Sequence, residues 1–419
     1  MSTLTLDVDH LRSRFPALAR RQEGRPVVYF DGPAGSQVPR GVADAVGRYL
    51  LETNANCGGT FASSHESDEL LAEAHRSVAD FLGSDDPDLV VFGPNMTTLT
   101  LALARALAKT WGAGDEVLVT RLEHDANFTP WVQAAADAGA AVHEVDILRD
   151  DCTLDMEDLK SKLGERTRFV AVGAASNAVG TINPIGEIAD LAHAAGARLF
   201  VDAVHFAPHL PIDVGAWDCD YLTCSAYKFF GPHVGILWGR RELLESAPVY
   251  KLRPASDALP GRFMTGTQSH EGIAGTMAAI DYLAGLGREH AADGSRLGRR
   301  DALSLAYERI ASHERVLANR LIRDLGTLRE VRIWGITDTE RLDERVPTVA
   351  ITHARRSPRE VAEHLARRGI FVWHGNYYAL PLTEALGLEP EGLVRIGLLH
   401  YNTEAEIDRL IDALRELAG

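Results

Sequence analysis

The stretches Arg198-Leu-Phe-Val-Asp202-Ala and Tyr221-Leu-Thr-Cys-Ser225-Ala-Tyr227-Lys228 decide how this chain is read. Each is a short apolar run that ends in polar groups, a carboxylate in the first and an amine in the second. A run of this length with little polar alternation predicts a strand buried on both faces. Groups just past the carboxyl end of such a strand stand where loops carry chemistry on a rigid frame.

The same pattern extends outward. Asp88-Leu-Val-Val-Phe-Gly, Glu116-Val-Leu-Val-Thr, Ala141-Val-His-Glu-Val and Phe169-Val-Ala-Val read as further strands. Between them, 96–109 (Leu99, Leu103 and Leu107 at helical spacing), 128–138 and 185–195 read as helices. Strands alternating with helices predict an α/β fold, a mostly parallel sheet covered on both faces. After Gly261 the pattern changes. Long helices are expected at 272–286 and 300–325, and strands at Val331-Arg-Ile-Trp, Pro347-Thr-Val-Ala-Ile and Leu393-Val-Arg-Ile. Helices at 358–368 and 403–417 complete a smaller α+β domain. The expected division is an N-terminal arm at 1–40 packing on the small domain, a large domain at 41–275, and a small C-terminal domain at 276–419.

A length of 419 residues exceeds what one core normally holds. The net charge of −16 argues against a nucleic-acid partner, which needs a basic face. The first residues lack a basic start followed by an apolar stretch, and no window approaches a membrane span, so a cytoplasmic chain without membrane contact is expected. The cysteines Cys57, Cys152, Cys219 and Cys224 are scattered, with no matching second pair to hold zinc, so no metal is expected. Free thiols suit a reducing compartment.

Three groups at strand ends share one logic. Asp202 alone reads more readily as a helix N-cap or a solvated strand end than as a functional carboxylate. Lys228, followed by Phe229-Phe230-Gly231-Pro232, is either a packed stem reaching water or a desolvated amine whose lowered pKa makes it a Schiff-base former. Gly93-Pro94-Asn95-Met96-Thr97-Thr98 joins a strand to a helix, where backbone amides and hydroxyls suit a phosphate. Taken together the three point to pyridoxal 5'-phosphate. That cofactor needs an amine to bind it, a carboxylate to keep its pyridine nitrogen protonated, and a donor nest for its phosphate.

These residues belong to a recognisable set: Val28-Tyr-Phe-Asp-Gly-Pro-Ala-Gly-Ser, Glu123-His124-Asp-Ala-Asn127, Ser176-Asn177-Ala-Val-Gly180-Thr-Ile-Asn-Pro184, Val201-Asp202, Ser225-Ala-Tyr-Lys228 and Tyr401-Asn402-Thr403. In them the chain resembles the class V aminotransferases among fold-type I pyridoxal-phosphate enzymes, in particular the cysteine desulfurase branch. A closer likeness is to a desulfurase-like subgroup with Val-Asp-Ala-Val-His in place of the commoner Val-Asp-Gly-Ala-Gln. The resemblance implies a large domain with a seven-stranded, mostly parallel sheet between helices, plus a small C-terminal domain. It implies that Lys228 carries the Schiff base and that His124 stacks on the pyridine ring and assists proton transfer. Asn177 and His205 would sit near the ring hydroxyl, while Thr97, the Met96 amide, Ser225 and Tyr227 would hold the phosphate. Arg395 would grip the substrate carboxylate, and Thr267 would reach the neighbouring subunit's phosphate in a homodimer with shared sites.

One feature departs from that pattern. In Val372-Trp-His-Gly-Asn-Tyr-Tyr378-Ala-Leu-Pro-Leu382, Tyr378 stands where the desulfurases carry the cysteine that takes sulfur as a persulfide. Tyrosine cannot accept sulfane sulfur. Lys228 could still act as general base on an amino-acid substrate. The expectation is therefore a desulfurase-like carbon–sulfur lyase or related β-elimination. An aminotransferase or epimerase of a small amino acid, and a non-catalytic relative that only binds the cofactor, are the alternatives.

Overall fold

In a computed structural model describing residues 6–291 and 296–418, the apolar runs line up as one seven-stranded sheet. Its strands are β1 (Val90–Gly93), β2 (Glu116–Thr120), β3 (Ala141–Val145), β4 (Thr167–Gly173), β5 (Arg198–Asp202), β6 (Tyr221–Ser225) and β7 (Gly235–Gly239). They lie in the order β1-β7-β6-β5-β4-β2-β3, and only β7 runs against its neighbours. Strands β1, β5, β6 and β7 are buried almost throughout because helices cover both faces of the sheet. The main helices of this part are α1 (Ala62–Leu82), α2 (Met96–Leu107), α3 (Thr129–Ala138), α4 (Ile185–Ala194), α5 (His270–Glu289) and α6 (Arg299–Leu325).

The second sheet is antiparallel. Its strands β8 (Val331–Trp334), β9 (Thr348–His353), β10 (Trp373–Gly375) and β11 (Leu393–Gly397) lie in the order β8-β9-β11-β10. Helices α7 (Pro358–Ala366) and α9 (Glu404–Arg415) each begin with a full capping box, from Ser357 with Glu360 and from Thr403 with Glu406. A short helix, α8 (Leu380–Leu386), follows β10. Val349, Ile351, Val394 and Ile396 form one apolar core with Leu317, Leu321, Ile407 and Leu410 of α6 and α9. A third cluster, with Leu122, Val179, Trp334, Leu382 and Leu393, joins the two sheets.

The first residues contribute to both large cores. Leu11 and Phe15 pack into the large sheet's core, whereas Val28 and Phe30 pack into the small one, where Val28–Tyr29 pairs with Ile370–Phe371. Residues 1–5, 292–295 and 419, which the expected domain ranges include, lie outside the described residues. The apolar pattern does not announce β10, whose residues are largely exposed and pair with β11 only through tertiary contact. Strand β1 begins two residues later than expected, because Asp86 caps a 3-10 turn at Pro87–Leu89.

Candidate active site

Asp202 ends β5, and β6 lies beside it in parallel, with Asp202 in register with Thr223. A 3-10 turn at Ala226–Lys228 then brings the lysine back to the same sheet end. Both side chains line one pocket. Met96, Thr97, His124, Asn177, His205, Ser225 and Tyr227 line it too.

The phosphate end follows from the start of α2. Asn95 caps that helix, its Oδ1 accepting from Thr98 N at 2.8 Å, and the Met96 amide donates to Ser225 Oγ at 3.0 Å. The first turn of α2 thus meets the end of β6, with the Thr97 hydroxyl exposed beside it. Gly235 makes this approach possible. A Cβ there would lie 2.3 Å from the Asn95 carbonyl carbon. Tyr227 stacks on His233, with ring centroids 5.0 Å apart.

Burial sets the charges. The Lys228 ammonium is pushed down to about 7, by desolvation first and Arg395 second, with Asp202 opposing. Its Nζ donates to the Pro33 carbonyl. Desolvation pushes Asp202 up to about 6. Its Oδ1 accepts from Val204 N at 2.8 Å, and its Oδ2 has no partner among the described residues. A buried carboxylate with a free oxygen facing a pocket calls for a cation, and a protonated pyridine nitrogen is one. With a free amine, a helix start that can take phosphate and the unpartnered buried Asn177 Oδ1, the residues present fit pyridoxal phosphate.

His124 sits over a rigid base. Glu123 accepts from Thr120 Oγ1 (2.7 Å), Asn127 Nδ2 (2.7 Å) and Gly173 N (2.8 Å), and Asn127 in turn accepts from Trp131 Nε1 (2.9 Å). Desolvation raises Glu123 to about 8. His124 Nδ1 accepts from the Ala126 amide at 3.0 Å, so in the neutral ring Nε2 carries the proton. Burial, Lys228 and Arg395 hold this histidine down at about 4, and it is therefore neutral near pH 7. Sequence reading quoted Glu123 and Asn127 but gave them no role. Their ladder joins residues 120–131 to residue 173, and spacing alone does not reveal it.

Arg395 is buried rather than being an exposed strand arginine. Its Nη1 donates to Asn177 O at 2.8 Å, and its guanidinium carbon lies 4.2 Å from the centre of the Tyr377 ring. Asn177 Nδ2 donates to Tyr377 O at 3.0 Å, and Asp125 N donates to Tyr378 O at 2.6 Å. The loop is thereby fastened to Asn177 and Asp125 at the pocket's wall, while neither its residues nor Arg395 line the pocket itself; Tyr377 and Tyr378 both have left-handed φ, at 56° and 60°. Tyr378 stacks on His124 at 5.5 Å and 21° while remaining 70% exposed. Trp373 points to solvent, and Tyr377 is the aromatic that touches Arg395. Thr267 stands elsewhere, in a separate cavity with Pro94, Thr98 and His233. Cys152, Cys219 and Cys224 are buried, and none of the four cysteines lines the pocket.

The profile of the family described as "Aminotransferase class-V" matches residues 28–303 and 300–410. A cysteine desulfurase of Cronobacter sakazakii is 32% identical, over 98% of this chain and 98% of its own length. An "Aminotransferase-like protein" of Gibberella zeae is 33% identical, over 99% of each chain. The apo cysteine desulfurase of Thermococcus onnurineus superposes with a TM-score of 0.86 at 27% identity, covering 98% of this chain and 97% of that one.

Proposed function

Since the chain belongs to the class V aminotransferase family, we propose that it is a pyridoxal-phosphate enzyme of the desulfurase-like kind that cleaves a carbon–sulfur bond in an amino acid by β-elimination. The observation that carries this reading is the pair Lys228 and Asp202, an amine near neutrality and a desolvated carboxylate at one pocket. When bound, pyridoxal phosphate supplies an electron sink for charge developing at the substrate's α-carbon.

The chain's own residues do the rest. Asp202 would keep a proton at the cofactor's pyridine nitrogen. The Met96 amide, Thr97, Ser225 and Tyr227 would hold its phosphate, and His124, with Nε2–H available to donate, would cover the ring. Asn177 and His205 would lie by the ring hydroxyl. Arg395 takes the substrate carboxylate in a two-pronged grip, pre-oriented by Asn177 O and the Tyr377 ring. Lys228, neutral above about 7, removes the α-proton as general base. With a tyrosine at 378 and no thiol lining the pocket, sulfur leaves with its own substituent (as sulfide from cysteine, a free persulfide from cystine, a sulfenic acid from a sulfoxide) rather than as a persulfide on the enzyme.

Incubation with cysteine, cystine and cysteine sulfoxides, assayed for sulfide, pyruvate and alanine, tests this. Pyruvate without alanine is expected. Amino transfer to a keto acid with no sulfur release overturns it and favours an aminotransferase, the second reading, to which the tyrosine at 378 lends weight. Two further parts of the proposal are a cytoplasmic site of action, in keeping with the free cysteines, and a homodimer in which Thr267 serves the partner's site. The exposed Leu50, Leu51 and Phe61 before and at the start of α1 support the homodimer.

A further inference from the structure

The stretch Val28-Tyr-Phe-Asp31-Gly-Pro-Ala-Gly-Ser36 is prominent in the sequence, and the chemistry above leaves it without a task. Its first half is laid on the small sheet. Phe30 N donates to Phe371 O at 3.0 Å, Gly397 N donates to Phe30 O at 2.8 Å, and Asp31 then bridges Gly397 in parallel. Its second half turns toward the lysine. The Ala34 amide donates to Asp31 O at 2.8 Å, Pro33 O accepts from Lys228 Nζ, and Ser36 Oγ accepts from Phe230 N at 2.7 Å. Two glycines admit this turn. A Cβ on Gly397 would overlap the Pro33 ring, and one on Gly32 would lie 2.8 Å from Leu399 Cδ1.

The register decides where the Asp31 carboxyl goes. Residues two apart on a strand share a face, and residues paired across strands point the same way. Arg395 stands two residues before Gly397 on β11, so Asp31, opposite Gly397, has its side chain on the face that carries the guanidinium. Burial raises the Asp31 carboxyl to about 6, against its own backbone amide and Arg395. Burial lowers Arg395 to about 10, against Tyr377, Asp31 and Tyr227. Tyr377 and Tyr227 are phenols that burial keeps protonated, so Asp31 supplies the carboxylate that faces the arginine. Tyr29 and Tyr401 also face Asp31, and burial keeps both of these phenols protonated too. Asp31 Oδ1 and Arg395 Nε are each buried with no partner among the described residues, so the two charges act on one another without a hydrogen bond between those atoms.

An anion that approaches a buried cation with a negative charge already beside it meets attraction from one and repulsion from the other. We propose that Asp31 is the resident counter-charge of Arg395, a positioning residue that balances the empty guanidinium and holds down its grip on a carboxylate, so that a bound amino acid can leave again. This rests on the carboxylate role given to Arg395 above, and the test separates the two.

At pH 8 Asp31 is ionised and Lys228 is neutral. Propionate is titrated at that pH into apo protein by calorimetry, and into protein loaded with pyridoxal phosphate by the visible cofactor band. Asp31→Asn keeps the shape and removes the charge, so the dissociation constant of propionate is expected to fall about tenfold in both forms, the order of effect of one unit charge in partly buried surroundings. Asp31→Glu restores the charge and is expected to return the constant toward the wild-type value. Asp31→Ala is expected to follow Asp31→Asn and carries the test if that variant fails to fold. The tightening is expected to vanish in an Arg395→Gln background. Propionate binding that is unchanged or weaker in both Asp31→Asn and Asp31→Ala, or a tightening of equal size without Arg395, overturns the proposal. Propionate binding that Arg395→Gln alone leaves as it was overturns the carboxylate role of Arg395 instead.

Discussion

Lys228 is an ammonium below about 7 and a free amine above it, because desolvation and Arg395 outweigh the attraction of Asp202. Labelling of apo protein by an amine-directed aldehyde is therefore expected to rise through a midpoint near 7 at this residue, instead of the 10.5 of an ordinary lysine. Asp202→Asn removes the opposing carboxylate, so that midpoint is expected to fall further. The same variant is expected to lose roughly 10²–10³-fold in turnover with cofactor bound, a loss typical of removing one preorganised electrostatic partner. The residues that meet at β5, β6 and the start of α2 were legible in the sequence because each follows directly from a strand end. The partners of Arg395 were not. Asn177 is 218 residues away in the chain, and the Tyr377 ring reaches the guanidinium only through the turn after β10.

At the scale of elements, most strands of the large sheet could be read because burial on both faces leaves an apolar run; the exposed edge strand β3 was read from its valines. The sequence reading gave no strand at β7 or β10, a glycine-bounded strand and an exposed one that gain their pairing from distant segments. Gly235 links such an element to the site. Gly235→Ala drives a methyl into Asn95, and a loss of about 1–3 kcal/mol of stability is expected from overpacking, measured by denaturant unfolding. Displacement of the first turn of α2 is expected to weaken pyridoxal-phosphate binding in the same variant. The tyrosine loop provides a contrasting case. Tyr377→Ala removes the ring that backs Arg395, so KM for a carboxylate-bearing substrate is expected to rise about tenfold or more with a smaller change in kcat. Tyr378→Phe keeps the stack on His124 and is expected to leave the melting temperature unchanged.

At the scale of the whole molecule, the pocket is lined by residues 95–228 around the large sheet, and Arg395, the proposed substrate group, comes from β11 of the small sheet across the seam between the cores. Leu51 is 87% exposed, and Leu50 and Phe61 are exposed nearby in sequence. Leu51→Glu is expected to shift a dimer toward monomer in light scattering and to weaken cofactor retention, as a site completed by Thr267 of a second copy requires. An unchanged mass with full retention contradicts that arrangement. The most direct measurement of the central claim is borohydride reduction of protein loaded with pyridoxal phosphate, followed by mapping of the modified residue. A single label on Lys228, absent from Lys228→Ala, is the expected result. Protein that stays colourless with added cofactor, or a label on another lysine, contradicts the account.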